Sequence, residues 1–149
     1  RIALVVGDRL QLISRHRVHV AEVRVEHART RTIGSWREIV LRPTGFLAER
    51  LDALIVTRGE KGSEIYAGGE RHEIPCVPAA AVVDPTGCGD AFRAGLLHGI
   101  VNGWDWPTTG RLASLMGAIK IAHQGGQNHA FTTDEIASKF EAAFGYKLP

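Results

Sequence analysis

The apolar residues of this chain follow two patterns, short continuous runs and helically spaced stripes. Short apolar runs that end at glycine, proline or polar turn residues predict strands over 1–7, 51–57, 62–67, 70–77 and 80–84, and a strand-like alternation covers 15–25. Apolar residues at helical spacing predict helices over 91–101, 107–122 and 133–144. The glycine pair at 68–69 predicts a β-hairpin. Strands that are followed by helices indicate an α/β fold, in which ligands bind at the carboxyl ends of the strands.

Single residues predict where the helices begin and end. Asn102-Gly103 ends the first helix, Pro107 opens the second, and Thr133-Asp134-Glu135 caps the third. Helical spacing also predicts the apolar faces. They consist of Phe92, Leu96, Leu97 and Ile100 in the first helix and of Leu112, Leu115, Met116 and Ile119 in the second.

Composition narrows the class of protein. The chain has 149 residues, of which 44% are hydrophobic, and this suits one ordinary domain. No apolar run reaches the roughly 18 residues of a membrane span, and the first apolar run is too short for the core of a signal peptide. We therefore expect no membrane partner and a cytoplasmic location. The two cysteines, Cys76 and Cys88, form neither a metal-type nor a redox-type cluster.

The net charge of the chain changes sign near residue 50. Residues 1–50, the Arg-rich segment, contain ten Arg, no Lys and five acidic residues, a net charge of +5, whereas residues 51–149 carry −3. Arg and His residues of 15–31 alternate with Val at strand spacing, which favours a solvated strand face over a nucleic-acid-binding surface. Two hypotheses stay open for the Arg-rich segment: translation from a shifted reading frame, or a divergent structural segment.

The sequence DPTGCGDAFRAG at 84–95 has the features of an anion-binding site. Gly87 and Gly89 allow the backbone to approach a ligand closely. The amides of residues 87–90 stand at the start of a predicted helix, where free N–H donors and the helix dipole favour a phosphate. A carboxylate there repels phosphate, so Asp90 makes sense as the group that accepts a proton from an attacking hydroxyl. The alternative is that Asp90 only caps the helix and the glycines only turn the chain.

A second glycine-containing turn, VTRGEKGSEIY at 56–66, follows a predicted strand. Gly59 and Gly62 allow close approach to a second phosphate segment, and the Thr57 hydroxyl can donate to it. A plain β-turn that leads into a hairpin explains the same pattern.

Together, VTRGEKGS at 56–63 and VVDPTGCGDAFRAGLLHGI at 82–100 resemble the carboxyl-terminal half of the PfkB, or ribokinase-like, carbohydrate and nucleoside kinases. The second string is similar to the D-T-x-G-A-G-D signature of that family, and the resemblance runs from about Leu51 to Phe144. It implies an α/β, ribokinase-like fold, carboxyl-terminal half only, with a mainly parallel sheet flanked by helices and a β-hairpin. Residues 51–149 then form the ATP-binding part of the kinase domain, and residues 1–50 show no family pattern.

The resemblance implies transfer of the γ-phosphoryl group of ATP, carried with Mg²⁺, to a hydroxyl of a small sugar or nucleoside. Asp90 matches the catalytic base of the family. Gly87, Cys88 and Gly89 match, with Asp90, the anion hole that neutralises charge on the transferring group. The matched nucleotide-binding positions are Thr57, Gly59 and Gly62 at the phosphates and Ala118, Ala122, Gly125 and Asn128 in the adenine wall.

Three further expectations come from the same resemblance. Asp84, Thr86 and the 123–128 loop match a monovalent cation site, commonly potassium. Cys88 stands where relatives usually have Ala or Ser, and a thiol at a helix start is expected to have a lowered pKa and to react with alkylating agents. Relatives are about twice as long and form dimers, and their amino-terminal half supplies most of the acceptor pocket. The resemblance thus allows a homodimer, and the alternative to a truncated kinase is a non-catalytic nucleotide-binding remnant.

Overall fold

The computed structural model describes residues 2–6, 9–14, 17–24, 52–126, 128 and 130–149. The chain divides into two compact units. The first consists of Arg1–Gly59 and Glu64–His72, and the second of Glu60–Ser63 and Glu73–Pro149. Among the described residues, no helix combines the length and the apolar character that crossing a membrane would need.

Six strands form one mixed sheet in the order β3-β2-β1-β4-β5-β6. They are β1 (Ile2–Val6), β2 (Arg9–Ser14), β3 (Arg17–Arg24), β4 (Ala53–Thr57), β5 (Ser63–Ala67) and β6 (Glu70–Ile74). β1 pairs in parallel with β4 and antiparallel with β2, which in turn pairs antiparallel with β3. The expected α/β class is confirmed. The described strands are nevertheless mixed rather than mainly parallel, because the two-residue connections that join β1 to β2 and β2 to β3 can only reverse the chain.

β4 is the buried centre of the sheet. β4 lies between β1 and β5. The consecutive residues Ala53, Leu54 and Ile55 are at most 1% exposed, and since successive side chains of a strand point to opposite faces, both faces of β4 are covered. β1 confirms the strand predicted over 1–7, and β3 falls within the alternation at 15–25. β2 was not predicted, since Arg9 and Gln11 break up its apolar residues.

The predicted hairpin is confirmed by β5 and β6, which Gly68 and Gly69 join. Both glycines have a positive φ, 60° and 83°, the region that a tight hairpin turn requires and that favours glycine. β6 ends at Ile74 rather than at the predicted residue 77, because Pro75 has no N–H with which to continue the ladder.

A buried carboxylate is held by three side chains of this hairpin region. Glu64 of β5 accepts hydrogen bonds from Arg58 at 2.5 Å, from Tyr66 at 2.8 Å and from Arg71. Burial alone would raise the pKa of Glu64, but the hydrogen bonds from Arg71 and Tyr66 and the charges of Arg58 and Arg71 outweigh burial and lower it. The first unit therefore contains a buried, charge-compensated acid.

Three helices follow in the second unit: α1 (Cys88–Val101), α2 (Trp106–Ile121) and α3 (Thr133–Phe144). Their bounds confirm the three predicted helices within three residues. Asp105 caps α2 by accepting from the Thr108 amide at 2.9 Å. The cap of α3 is Thr132 and not the predicted Thr133, because the Thr132 side chain and Glu135 form a reciprocal capping box.

α1 and α2 approach each other through glycines rather than through the predicted apolar face of α1. A Cβ at Gly95 would lie 2.8 Å from Ala113 Cα, and a Cβ at Gly99 would lie 2.5 Å from Thr109 Oγ1. Of the four residues predicted for this face only Leu96 is buried; the helix instead buries Ala91, Gly95 and Gly99 beside it. The prediction was wrong because apolarity alone does not reveal where two helix backbones come close.

The hydrophobic cluster of the second unit is formed by residues of α1, α2, α3 and the chain end. Its buried members are Ala91, Leu112, Leu115, Met116 and Phe140. Tyr146, which follows α3, packs edge-on against Phe140 at 5.2 Å between ring centroids. This cluster confirms three of the four residues predicted for the apolar stripe of α2, and the fourth, Ile119, is partly buried against it.

The strand predicted over 80–84 is wrong. Residues 81–85 have no regular secondary structure, and Val82 and Val83 are 78% and 50% exposed. The amides of Val83 and Asp84 both donate to the carbonyl of Ile121 at the end of α2, at 2.9 and 3.1 Å. This stretch is thus bonded to a helix end instead of a neighbouring strand.

Candidate active site

The turn of residues 84–90, here called the donor turn, leads directly into α1. Gly87 is the residue before the helix, with φ 83° and ψ 0°, and no side chain of the described residues caps the helix. The left-handed conformation explains why glycine stands at this position. The amides of Gly89 and Asp90 lie in the first helical turn and have no hydrogen-bond acceptor among the described residues. The helix start therefore presents N–H donors to an anion.

One member of the expected anion hole is engaged within the protein. The Cys88 amide donates to the Pro85 carbonyl at 3.1 Å, which closes the donor turn on itself. The Gly87 carbonyl accepts from Ala91 at 2.9 Å and starts the helical ladder. The amides of Gly89 and Asp90 are therefore better placed than that of Cys88 to meet a phosphate.

Asp90 projects from the first turn of α1 and is 74% exposed. Its carboxylate forms an ion pair with Arg93, one turn further along the helix. Arg93 Nε also donates to the Gly89 carbonyl at 3.2 Å, so the guanidinium is anchored at two points. The structure thus places Arg93 against Asp90, where it restrains the carboxylate.

Asp84 ties the donor turn to the loop that follows α2. Its Oδ1 accepts from the Thr86 amide at 2.8 Å and its Oδ2 from the Gly125 amide at 2.7 Å. The hydrogen bonds from Thr86 and Gly125, aided by the charge of Lys120, lower the pKa of Asp84 to about 2. The structure thus brings together the residues that were expected to hold a monovalent cation, and that role stays a prediction.

Lys120 was not recognised from the sequence. Its side chain is fully buried, and its Nζ donates to the His123 carbonyl at 3.0 Å and to the Asp84 carbonyl at 3.4 Å. A Cβ placed on Gly87 would lie 3.4 Å from Lys120 Cε, so the lysine runs directly beneath the donor turn. The signal that would have found it is a single lysine between two isoleucines, near the end of an apolar helix.

The pKa of the Cys88 thiol is shifted in the direction opposite to the expected one. Burial raises the pKa of Cys88; the charge of Lys120 opposes this rise and that of Asp84 adds to it. The expected lowering of the thiol pKa is wrong, because burial outweighs the favourable field at a helix start.

The residues expected at the nucleotide phosphates divide between the two units. Thr57 ends β4 and Gly59 begins the short helical turn Gly59–Lys61, both in the first unit. Gly62 belongs to the second unit, where a Cβ would lie 2.1 Å from the Ile74 carbonyl. Close backbone approach by itself accounts for glycine at this position, and the phosphate roles stay predictions.

The expected adenine wall lies on α2 and the loop that follows it. Ala118 is half-buried on α2, Ala122 ends the helix, and Gly125 has φ 75°. A Cβ on Gly125 would lie 3.0 Å from Asn128 Nδ2, so these two residues are neighbours. Among the described residues, no group of three or more His, Cys, Asp or Glu could hold a metal ion.

Comparison with known proteins shows to which family the chain is related. The model of the pfkB family carbohydrate kinases matches residues 37–133, well over half of the chain, and begins inside the Arg-rich segment. The nucleoside kinase of Methanocaldococcus jannaschii is 42% identical over 93 residues, which are 62% of this chain and 31% of that protein.

Two solved structures of nucleoside kinases are also similar to the chain. The Burkholderia thailandensis nucleoside kinase in complex with inosine is 56% identical, with a TM-score of 0.69, over 74% of this chain and 38% of that one. The crystal structure of the M. jannaschii enzyme, described as an archaeal member of the ribokinase family, gives a TM-score of 0.63 over 66% of this chain and 33% of that one. The chain thus spans about a third of the length of these relatives, and its fold is ribokinase-like. By its sequence match and its fold, the chain belongs to the pfkB family of carbohydrate kinases.

Proposed function

We propose that this chain carries the phosphotransfer site of an ATP-dependent nucleoside or sugar kinase. The observation that supports the proposal best is the start of α1, where an exposed carboxylate shares a turn with two amides that have no acceptor in the described part of the chain. A binding site for phosphate alone would not place a carboxylate there, because like charges repel. A site for phosphoryl transfer needs both anion donors and a proton acceptor.

The chemistry assigns one task to each group. The acceptor hydroxyl gives its proton to the Asp90 carboxylate as its oxygen attacks the γ-phosphorus. The bond from that phosphorus to the oxygen that bridges it to ADP breaks, and ADP leaves with the electron pair. The amides of Gly89 and Asp90 donate to the oxygens of the transferring group, where negative charge is spread. Arg93 holds the carboxylate in place through its contact with the Gly89 carbonyl.

The relatives named above support a nucleoside as the acceptor of this chain. Both the curated relative and the solved structures named above are nucleoside kinases, and two structures of the B. thailandensis protein are described as complexes with inosine and with ADP-inosine. ATP, with Mg²⁺ on its phosphates, is the proposed donor. Use of ATP also accords with a cytoplasmic location. The proposal retains Thr57, Gly59 and Gly62 for the phosphates and the residues near Gly125 for the adenine.

The test uses the purified 149-residue chain. Product formation is followed by mass spectrometry with MgATP and a panel of inosine, adenosine, ribose and fructose, and binding of a non-hydrolysable ATP analogue is followed by calorimetry. Asp90→Asn is the informative variant. Asp134→Asn, another exposed aspartate in the first turn of a helix, is its matched control.

A phosphorylated product that Asp90→Asn abolishes and Asp134→Asn preserves would support the proposal. We expect Asp90→Asn to leave analogue binding within about threefold, because the amides remain. Binding without any product would favour the nucleotide-binding remnant instead. A folded chain that binds no nucleotide would overturn both.

A further inference from the structure

Lys120 carries an inference that rests on the proposed function but goes beyond it. We propose that its buried ammonium is a built-in cation that joins the donor turn to residues 123–126 and makes nucleotide binding independent of potassium. Lys120 would then be a positioning residue that replaces the free monovalent ion expected at this place.

The burial of Lys120 points to a specific role. Among the largest fully buried side chains of the described residues, Lys120 is the one that carries a charge. Lysine is rarely buried without partners, because its charge loses the hydration it has in water. Here two backbone carbonyls replace water: those of His123, at 3.0 Å, and Asp84, at 3.4 Å. The side chain thus has two acceptors at its tip.

Those carbonyls come from the two segments to which the expected cation site was assigned. Both carboxylate oxygens of Asp84 already accept from backbone amides, one from Thr86 and one from Gly125. The ammonium occupies the point where the two backbone segments meet. A potassium ion at the same carbonyls would be a second positive charge within a few ångströms, which the lysine charge disfavours.

The position of Lys120 also affects the donor turn. Its Cε lies 3.4 Å from where a Cβ of Gly87 would be, so its charge is close beneath the turn. A buried charge is screened less by salt than an exposed one. The lysine therefore adds a fixed positive field at the place where a phosphate would bind, without touching the reacting atoms.

The experiment compares potassium with choline at equal ionic strength. Calorimetry measures binding of a non-hydrolysable MgATP analogue to the 149-residue chain in KCl and in choline chloride, and urea unfolding is recorded in both salts without nucleotide. Lys120→Met keeps an unbranched side chain, one atom shorter, and removes its charge. Lys139→Met, at an exposed lysine of α3, is the matched control.

We expect the unaltered chain and Lys139→Met to bind equally well in both salts. Lys120→Met should bind about tenfold more weakly in choline, since two charge-assisted hydrogen bonds are lost. Potassium should restore part of that affinity and raise the urea midpoint of this variant alone. A lysine that only packs would lower the midpoint by the same amount in both salts.

Two results would overturn the inference. The first is that nucleotide binding or urea unfolding of the unaltered chain depends on potassium. This can be measured even if Lys120→Met does not fold. The other is a Lys120→Met variant that responds to both salts alike. If the unaltered chain binds no nucleotide, the proposed function fails. The potassium dependence of the urea midpoint then decides the role of Lys120 by itself.

Discussion

Asp84 and Gly125 stand 41 positions apart in the chain, yet the Gly125 amide donates a 2.7 Å hydrogen bond to Asp84 Oδ2. With the bond from Thr86 to Oδ1, one carboxylate fixes both the entry to α1 and the loop after α2. The geometry of the donor turn therefore depends on a residue that itself need not touch a ligand.

This relationship predicts a specific acid sensitivity. The folded pKa of Asp84 is about 2, below its ordinary value of 3.8, so its ionised form stabilises the folded chain above about pH 4. That contribution is lost as the pH falls from about 4 towards 2. Asp84→Asn should therefore lower the urea midpoint at neutral pH and lose less stability than the unaltered chain between pH 4 and 2. Urea titrations at both ends of this range check it, with Asp134→Asn as control; parallel pH profiles for all three proteins would contradict it.

The glycine contact between α1 and α2 predicts opposite effects for two similar substitutions. Gly99→Ala should destabilise the chain by about 1–3 kcal/mol, because its Cβ would lie 2.5 Å from Thr109 Oγ1. Gly117→Ala in α2 should be neutral or stabilise by about 0.5–1 kcal/mol, since its nearest neighbour is the Cys88 carbonyl at 3.9 Å. Thermal and urea unfolding measure both. Equal destabilisation by the two substitutions would show that helix packing is not glycine-dependent.

The Arg71–Glu64 and Arg93–Asp90 pairs should differ in what they contribute to stability. Arg71→Met should cost roughly 1–3 kcal/mol, because it leaves Glu64, whose side chain is 6% exposed, with fewer donors. Arg93→Met should cost less than about 1 kcal/mol, because its partner Asp90 is 74% exposed. Urea unfolding at neutral pH compares them. A larger loss for Arg93→Met would mean that the ion pair at the donor turn is structural.

The two cysteines should react at different rates with iodoacetamide. Cys76 is exposed, whereas Cys88 is partly buried and burial raises its pKa above the ordinary value of a thiol. We expect modification of Cys76 first at neutral pH, because the thiolate is the reactive form. Peptide mass spectrometry over a time course measures both sites in one sample. Faster modification of Cys88 would restore the original expectation of an activated thiol.

The donor turn was predictable from the sequence because its conformation is a local matter. Gly87 needs a positive φ, and the residues after it begin a helix, so the string of 84–95 by itself indicates backbone donors. The predictions for β4, the hairpin and the three helices succeeded for the same reason. Each is fixed by the periodicity and the turn residues within it.

The contacts of Lys120 and Gly99 were not predictable in this way. The Lys120 ammonium reaches Asp84, 36 positions earlier, and the sequence around Lys120 says nothing about that partner. The apolar face of α1 was misread because the approach of two helix backbones is decided at Thr109 and Ala113 of α2. The stretch 81–85 looks like a strand, but its amides bond to a helix end.

The sequence by itself therefore determined the order of the elements and the donor turn with its carboxylate, because backbone geometry and hydrophobic periodicity act over a few residues. Only the tertiary structure decided which side chains support that turn, since a buried lysine and a tethered aspartate gain their roles from partners more than 30 positions away. Burying a charge is costly unless such partners converge on it, and their convergence is a property of the folded chain.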